Sequence, residues 1–303
     1  MRRPLPWKAG GVQGDGDGWT RCAAGHRYWG RNGAAGLLLR DRTADRDRVV
    51  LQHRALWSHQ GGTWGVPGGA RDSDETVIEA ALRETEEETG IVPAAVRPYG
   101  ELVDDHGGWA YTTVLGVPVA PVDPEPLGGE SEAVRWVDVA DVDALPLHPG
   151  FAAAWPTLRA APPPLLLVVD AANVVGARGR GDGWWRDRAG ATARLLDALA
   201  PLADGLPELP DGVERGGLDL VLPRIVVVVE GAARAVLDGG WKGPVEVVAA
   251  PGPGDDTLVE VAAGRGGDTA VVVTADRGLR ARVEAAGAEC RGPGWLLDLL
   301  GDR

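Results

Sequence analysis

A chain of 303 residues is longer than one ordinary domain, so two domains, each with its own core, are expected. Hydrophobic residues at 44% and charged residues at 25% are those of a soluble globular protein, and no apolar run is long enough to cross a bilayer. A net charge of -13 excludes a general polyanion-binding surface, because nonspecific nucleic-acid affinity comes from Lys and Arg neutralising phosphates. Any phosphate chemistry should therefore depend on bound cations. The positively charged start, Met1 to Lys8, leads into no apolar stretch, which points to a cytoplasmic protein without a membrane partner. Cys22 and Cys290 fit no disulfide or metal-ligand spacing and are expected to be reduced.

In chain order, apolar runs at 34–39, 48–52, 110–119 and 133–137 are separated by turns and predict strands. Between the second and third, residues 73–89 contain neither Gly nor Pro. Ile78, Leu82 and Thr85 recur there at helical spacing, which predicts a helix interrupting the strands. Asp72 with Glu75 suggests a capping box at its start, and Gly90 the left-handed residue that ends it. Ahead of it, Trp64-Gly65-Val66-Pro67-Gly68-Gly69 reads as a loop whose glycines let backbone approach a ligand closely.

Glu84, Glu87 and Glu88 stand at i, i+3 and i+4 and so share one helical face. Each like-charge pair at that spacing costs roughly 0.2–0.5 kcal/mol. Two outcomes fit such a face. A run such as Glu86-Glu87-Glu88 is commonly a solvated surface, or it faces a cation. Magnesium takes hard oxygen ligands and bridges one or two carboxylates to substrate phosphates.

The wider pattern decides between them. Gly69, five residues, Glu75, seven residues, Arg83-Glu84, and then Glu87, Glu88 and Gly90 resembles the box of the Nudix hydrolase superfamily, Gly-x5-Glu-x7-Arg-Glu-U-x-Glu-Glu-x-Gly-U with U apolar. At residue frequencies of roughly one in ten, seven fixed letters match by chance on the order of once in ten million starts. The resemblance covers residues 30–155, about half the chain. It departs at Thr85, which stands where the family prefers an apolar residue and predicts a small packing loss.

The resemblance implies an α/β/α sandwich around a mixed sheet. It implies that Glu84, Glu87 and Glu88 coordinate Mg2+, or Mn2+ in its place, with the Gly69 carbonyl as a further ligand. Arg83 would orient Glu87 through an i, i+4 pair. The reaction implied is hydrolysis of the diphosphate bond in a nucleoside diphosphate linked to another group. The cations would neutralise phosphate oxygens and activate the attacking water. Arg83, Glu84, Glu87 and Glu88 are thus the expected catalytic residues. Glu87 is the first candidate for proton acceptor, and Glu130 and Glu132 are candidates outside the box.

The box does not choose the nucleotide. Trp57, Trp64, Trp109 and Tyr111 are candidates to stack on a base, and equally to fill the core. His26, His53, His59, His106 and His148 share no spacing, and Cys22-x3-His26 lacks the partners zinc would need.

Ala160-Ala161-Pro162-Pro163-Pro164 is a stiff piece suited to a linker, so the domains are expected at 1–159 and 165–303. Beyond it, short continuous apolar runs at 165–169, 225–229, 245–249 and 270–273 alternate with helical stretches. Continuous apolarity predicts strands buried on both faces, hence a second α/β domain with a mostly parallel sheet. Residues 204–223, rich in Gly, Pro and acidic residues, are expected to be a surface insertion.

Asp170 follows the first of these strands, Asp255 and Asp256 open a helix after the third, and Asp276 follows the fourth, with Glu230 after the second. These are the carboxyl ends of strands, where open parallel sheets bind ligands. The pieces Val168-Val169-Asp170-Ala171-Ala172-Asn173 and Val273-Thr274-Ala275-Asp276-Arg277-Gly278 resemble PIN-like nucleases of the NYN type. That resemblance implies a metal-dependent ribonuclease site with RNA as partner. Aspartates in these places also cap the following helices.

The segment 165–303 carries 15 basic and 21 acidic residues, so RNA would need a local patch, for which Arg178, Arg180, Arg186 and Arg188 among Trp184 and Trp185 are candidates. Three functions compete: a bifunctional or RNA-linked enzyme with a working Nudix site, a ribonuclease with a nucleotide-sensing Nudix domain, and a binding protein in which neither site turns over. Retention of the whole box favours the first. Nothing in the sequence sets an oligomeric state.

Overall fold

A computed structural model describes residues 14–43, 45–127, 129–178, 183–264 and 266–301. The charged start at Met1 to Lys8 and the patch residue Arg180 lie outside them. The chain divides into two compact units, Met1–Arg159 and Ala160–Arg303.

The first unit is organised on β3 (Ala34–Arg42), whose first seven residues are all buried. It pairs in parallel with β8 (Ala110–Pro118) and antiparallel with β4 (Asp47–Arg54) and β6 (Gly68–Ala70), which makes the sheet mixed. Beyond β8 lies β7 (Val96–Asp105), and β4 also pairs with β5 (Trp64–Gly65) and β9 (Ser131–Asp138). A separate hairpin, β1 (Trp19–Arg21) with β2 (Arg27–Trp29), precedes them.

All four expected strands are present. The reading missed β7 because Pro98 and Gly100 interrupt its apolar pattern, and the register does shift between these two residues.

Helix α1 (Val77–Thr89) covers one face of the sheet, burying Ala80 and Ala81 with Leu37, Leu39, Val50 and Val114. On β3, Arg40 has the opposite parity to Leu37 and Leu39. Its guanidinium grips Asp47 through two bonds of 2.7 Å and donates to the carbonyls of Leu158 and Arg159, at the end of α2 (Pro149–Ala160). The two helices therefore flank the sheet on opposite faces.

The start of α1 differs from expectation. Its N-cap is Thr76, whose Oγ1 accepts from Glu79 N–H at 3.2 Å while Glu79 Oε2 accepts from Thr76 N–H at 2.8 Å. The capping box sits one turn later than Asp72 and Glu75, because Glu75 is taken by Arg83. Glu75 keeps a residue of the expected pattern by accepting from Asp72 N–H at 3.1 Å. Gly90, at φ 71°, ends the helix as expected.

The second unit has a parallel five-stranded sheet built from β10 (Leu165–Asp170), β12 (Arg224–Val229), β13 (Glu246–Ala249), β14 (Thr269–Val273) and β15 (Glu289–Arg291), in the order β13-β12-β10-β14-β15. Leu166, Val168, Val226 and Val272 pack against Leu258 and Ala262 of α5 (Gly254–Ala263) and Leu279 and Val283 of α6 (Arg277–Ala285). Leu165, Leu167 and Val169, of opposite parity, are equally buried, so both faces are covered.

The prolines are not a free tether, since the Pro164 carbonyl accepts from Thr269 N–H at 2.8 Å. Residues 204–223 are not a surface insertion either. Leu206, Leu218 and Leu222 are buried there, with Val221 in the short strand β11 (Leu220–Val221). Gly and Pro composition hid that contribution to the core. Among the described residues no helix is long and apolar enough to cross a membrane.

Candidate active site

The ladder between β6 and β3 sets Gly68 opposite Gly36 and Gly69 opposite Ala35, and the chain then turns into α1. Arg71 steadies this turn, donating to the Asn32 carbonyl at 2.9 and 3.1 Å and to the Glu75 carbonyl at 2.9 Å. Above it stands Arg83. Its guanidinium forms a two-pronged pair with Glu75, at 2.6 and 3.0 Å, and donates to the Ala70 carbonyl at 3.0 Å and to Glu84 Oε1 at 2.9 Å.

The expected i, i+4 pair with Glu87 is present but longer, at 3.7 Å from Arg83 Nη1. Arg83 thus orients Glu84 more than Glu87, because Glu75, in the turn before the helix, draws the guanidinium toward the amino-terminal end. These bonds raise the affinity of Arg83 for its proton and hold the Glu75 carboxyl below its ordinary range.

The three glutamates of the face have different surroundings. Burial pushes the Glu84 carboxyl up to about 7, against the opposing pull of Arg83. Burial likewise pushes Glu88 up to about 8, although the Gly68 N–H donates to its Oε2 at 2.8 Å. The Glu87 side chain is half exposed.

Gly69 is needed where it is. A Cβ there would fall 2.6 Å from the Glu84 carboxyl carbon, so the missing side chain is the space the carboxylate fills. Hard carboxylate oxygens on one face, beside a glycine backbone, suit a divalent cation that keeps several waters. Among the described residues no three of His, Cys, Asp or Glu gather as a ready cage. Magnesium needs none, since one or two carboxylates with waters and substrate phosphates complete its shell.

Thr85, the irregular position of the box, is buried, and its hydroxyl donates to the Ala81 carbonyl at 2.6 Å. The polar atom is satisfied within the helix. Of the outlying candidates, Glu132 is engaged by His53 Nδ1 at 3.1 Å and by Leu56 N–H at 3.4 Å. Glu130 acts electrostatically on Glu88.

The aromatic candidates separate clearly. Trp109 is buried, stacked on Tyr28 at 4.1 Å and donating to the Gly30 carbonyl at 2.9 Å. Trp64 is buried against the His53 ring and beneath Arg135. Tyr111 is partly buried, and burial pushes its hydroxyl up. Only Trp57 of the four is exposed.

Two groups outside the box were not anticipated. The charge of Arg54, at the end of β4, reaches Glu88. His148, which burial keeps neutral with its pKa lowered to about 4, feels the charges of Arg54 and His59. No motif marks either residue in the sequence.

In the second unit the four aspartates do not form one cluster. Asp170 is buried at the end of β10, accepting from Asn173 N–H and Nδ2 and from Thr274 Oγ1 at 3.1, 2.6 and 2.8 Å. Asp276 caps α6 through Gly278 and Leu279, and its own N–H donates to Thr274 Oγ1 at 3.2 Å. Asp255 and Asp256 face Arg282 instead. Glu230 accepts from Gly254 N–H at 2.6 Å, at the first residue of α5.

Comparison with known proteins places the first unit. The NUDIX domain description matches residues 30–160. The protein described as "Putative 8-oxo-dGTP diphosphatase 3" of Mycobacterium tuberculosis is 51% identical over 158 residues, which is 50% of this chain and 72% of that protein. A nucleoside triphosphate pyrophosphatase/Nudix hydrolase fusion protein of Bifidobacterium longum is 45% identical over 154 residues, 49% of this chain and 32% of the fusion. Among solved structures, the Nudix hydrolase RenU of M. smegmatis is 47% identical, covering 48% of this chain and 93% of its own, with a TM-score of 0.45.

The box on a glycine-backed helix, together with 51% identity across 72% of the M. tuberculosis relative, means that the chain belongs to the Nudix hydrolase family and is a hydrolase acting on phosphorus anhydrides.

Proposed function

We propose that the chain is a magnesium-dependent hydrolase that cleaves the diphosphate bond of a nucleoside diphosphate linked to another group, at Glu84, Glu87 and Glu88. The arrangement of Glu75, Arg83 and Glu84 carries this reading. A merely solvated acidic face has no use for a guanidinium fixed at both prongs that aims a neighbouring carboxylate into a space cleared by Gly69.

In this reading Glu84, held by Arg83, and Glu88, held by the Gly68 N–H, offer oxygens to the cation, with the Gly69 carbonyl beside them. A bound cation supplies charge neutralisation on the phosphate oxygens and a more acidic water. Glu87, exposed and loosely paired, has a carboxylate available to take the proton, and Glu130 is the candidate base outside the box. Because a relative 51% identical carries the description "Putative 8-oxo-dGTP diphosphatase 3", 8-oxo-dGTP heads the substrates to test.

The test is a nucleotide panel assayed with Mg2+ on the wild type and on Glu87→Gln and Glu88→Gln. Each substitution is expected to lower turnover on the order of 10²-fold or more while the circular dichroism spectrum is retained. Turnover at the wild-type rate in both variants refutes the assignment.

A further inference from the structure

Two segments bring aromatic side chains to the edge of the glutamate site. The residues before β1 are tied to the turn ahead of α1. Gly16 N–H donates to Asp72 Oδ1 at 2.7 Å, and Ser73 N–H donates to Asp15 Oδ1 at 2.8 Å. The charge of Asp17 acts on Glu84. Two residues on, Trp19 lies in register with Trp29 at the open end of the hairpin, and their rings meet edge to face at 5.6 Å and 81°.

From the other side, the loop between β4 and β5 presents His59, whose ring meets Trp19 edge-on at 5.9 Å. The His59 carbonyl accepts from Arg54 Nε at 3.1 Å, and the charge of Arg54 acts on Glu88. The aromatic corner is thus tied by hydrogen bonds to the turn ahead of α1 on one side and to Arg54 on the other.

Trp19 keeps 46% of its surface exposed and Trp29 43%. Arg27 lies over the Trp19 ring at 4.6 Å, so the ring's orientation is set before any ligand arrives. Indole rings fixed in this way and left in water beside a phosphate-processing site are suited to stacking on another flat ring.

We propose that Trp19 and Trp29 form the platform that takes the nucleobase of the substrate, one ring stacking on the base and the other meeting its edge, while its phosphates lie along the glutamate helix. This rests on the diphosphate-hydrolase reading above. Every base has a π face, so the platform distinguishes a nucleotide from a bare sugar phosphate more than it distinguishes one base from another.

The test compares GMP with ribose 5-phosphate, which lacks the base, by calorimetry on the full chain. GMP is expected to bind more tightly than ribose 5-phosphate. Trp19→Ala and Trp29→Ala should each weaken GMP about 5- to 100-fold and leave ribose 5-phosphate unchanged. Trp19→Phe and Trp29→Phe should recover most of the loss, because a ring is restored.

Equal binding of the two probes by the wild type overturns the platform, as does undiminished GMP binding by both alanine variants. Should the alanine variants fail to fold, the phenylalanine variants decide. GMP should quench wild-type tryptophan fluorescence and quench each of them less, and unchanged quenching overturns the proposal. Failure of the hydrolase reading looks different, namely no turnover of any nucleotide by a wild type that still binds GMP.

Discussion

Replacing Arg83 tests how the site is built. Its guanidinium makes two bonds to Glu75, one to Glu84 and one to the Ala70 carbonyl, and it is less than one-third exposed. Charged hydrogen bonds contribute about 1.5–3 kcal/mol each, and removing one partner of a buried pair costs about 3–5 kcal/mol because the other charge is left behind. Glu75 and Glu84, each 17% exposed at the side chain, would both lose their cation, although partial access of water and protonation of Glu84 relieve some of the cost. Arg83→Ala is therefore expected to destabilise the first unit by about 2–4 kcal/mol.

Arg83→Lys keeps a charge but cannot hold both oxygens of Glu75 while reaching Glu84, so it should recover only part of the stability. Because Glu84 loses its support, the apparent Mg2+ affinity should fall about 10–100-fold in both variants. Urea unfolding measures the first effect and Mg2+ dependence of turnover the second. A lysine variant with wild-type stability and metal dependence would refute the claim that the forked geometry matters. A double-mutant cycle with Glu75→Gln should show strong coupling, since either substitution already breaks the pair.

Three further outcomes are expected. Gly69→Ala places a methyl group where the Glu84 carboxylate lies, so Mg2+ titrations should show affinity falling about 10-fold or more, with a smaller loss of thermal stability. Glu84 and Glu88 bind protons more tightly folded than unfolded, so the stability they contribute is present at low pH and lost as pH rises toward about 7 and 8. In EDTA, melting temperatures should therefore fall with pH across that window, and Mg2+, which needs the ionised carboxylates, should restore stability most at the high end. Thr85→Val removes a hydroxyl that only bonds back to its own helix, so unfolding free energy should change by no more than ~1 kcal/mol, with turnover retained.

The glutamate face could be read from the sequence because its information is local. Positions 84, 87 and 88 share a face on any helix, and Gly90 ends that helix wherever it begins. The partner of Arg83 could not be read in the same way. An i, i+4 count presumes that both residues are helical, and Glu75 lies in the turn before Val77, where only the folded path of residues 70–76 brings it under the guanidinium. Strand β7 escaped because Pro98 and Gly100 break its pattern, while the β8 ladder tolerates them through a bulge. Trp19 and Trp29 lie well ahead of the box, which begins at Gly69, and only the folded path, through the bonds that join Asp15 and Gly16 to Ser73 and Asp72 and Arg54 to His59, makes them its neighbours.

The same bonds explain how three like charges can share a helical face. Glu84 turns to Arg83, Glu88 turns to the Gly68 N–H, and Glu87 points outward, so their mutual repulsion is divided among three surroundings. Burial then raises the proton affinity of two of them, so that near neutral pH a proton offsets part of the charge that a cation would otherwise offset. In the proposed reading proton and cation would compete for the same oxygens. Gly68 and Gly69 allow this exchange without rebuilding the site: one supplies an N–H to Glu88, and the other leaves the Glu84 carboxylate its room. A substitution that spared every glutamate but enlarged either glycine would therefore be expected to weaken the site, because a Cβ at Gly69 meets the Glu84 carboxylate and one at Gly68 meets the Ala35 carbonyl.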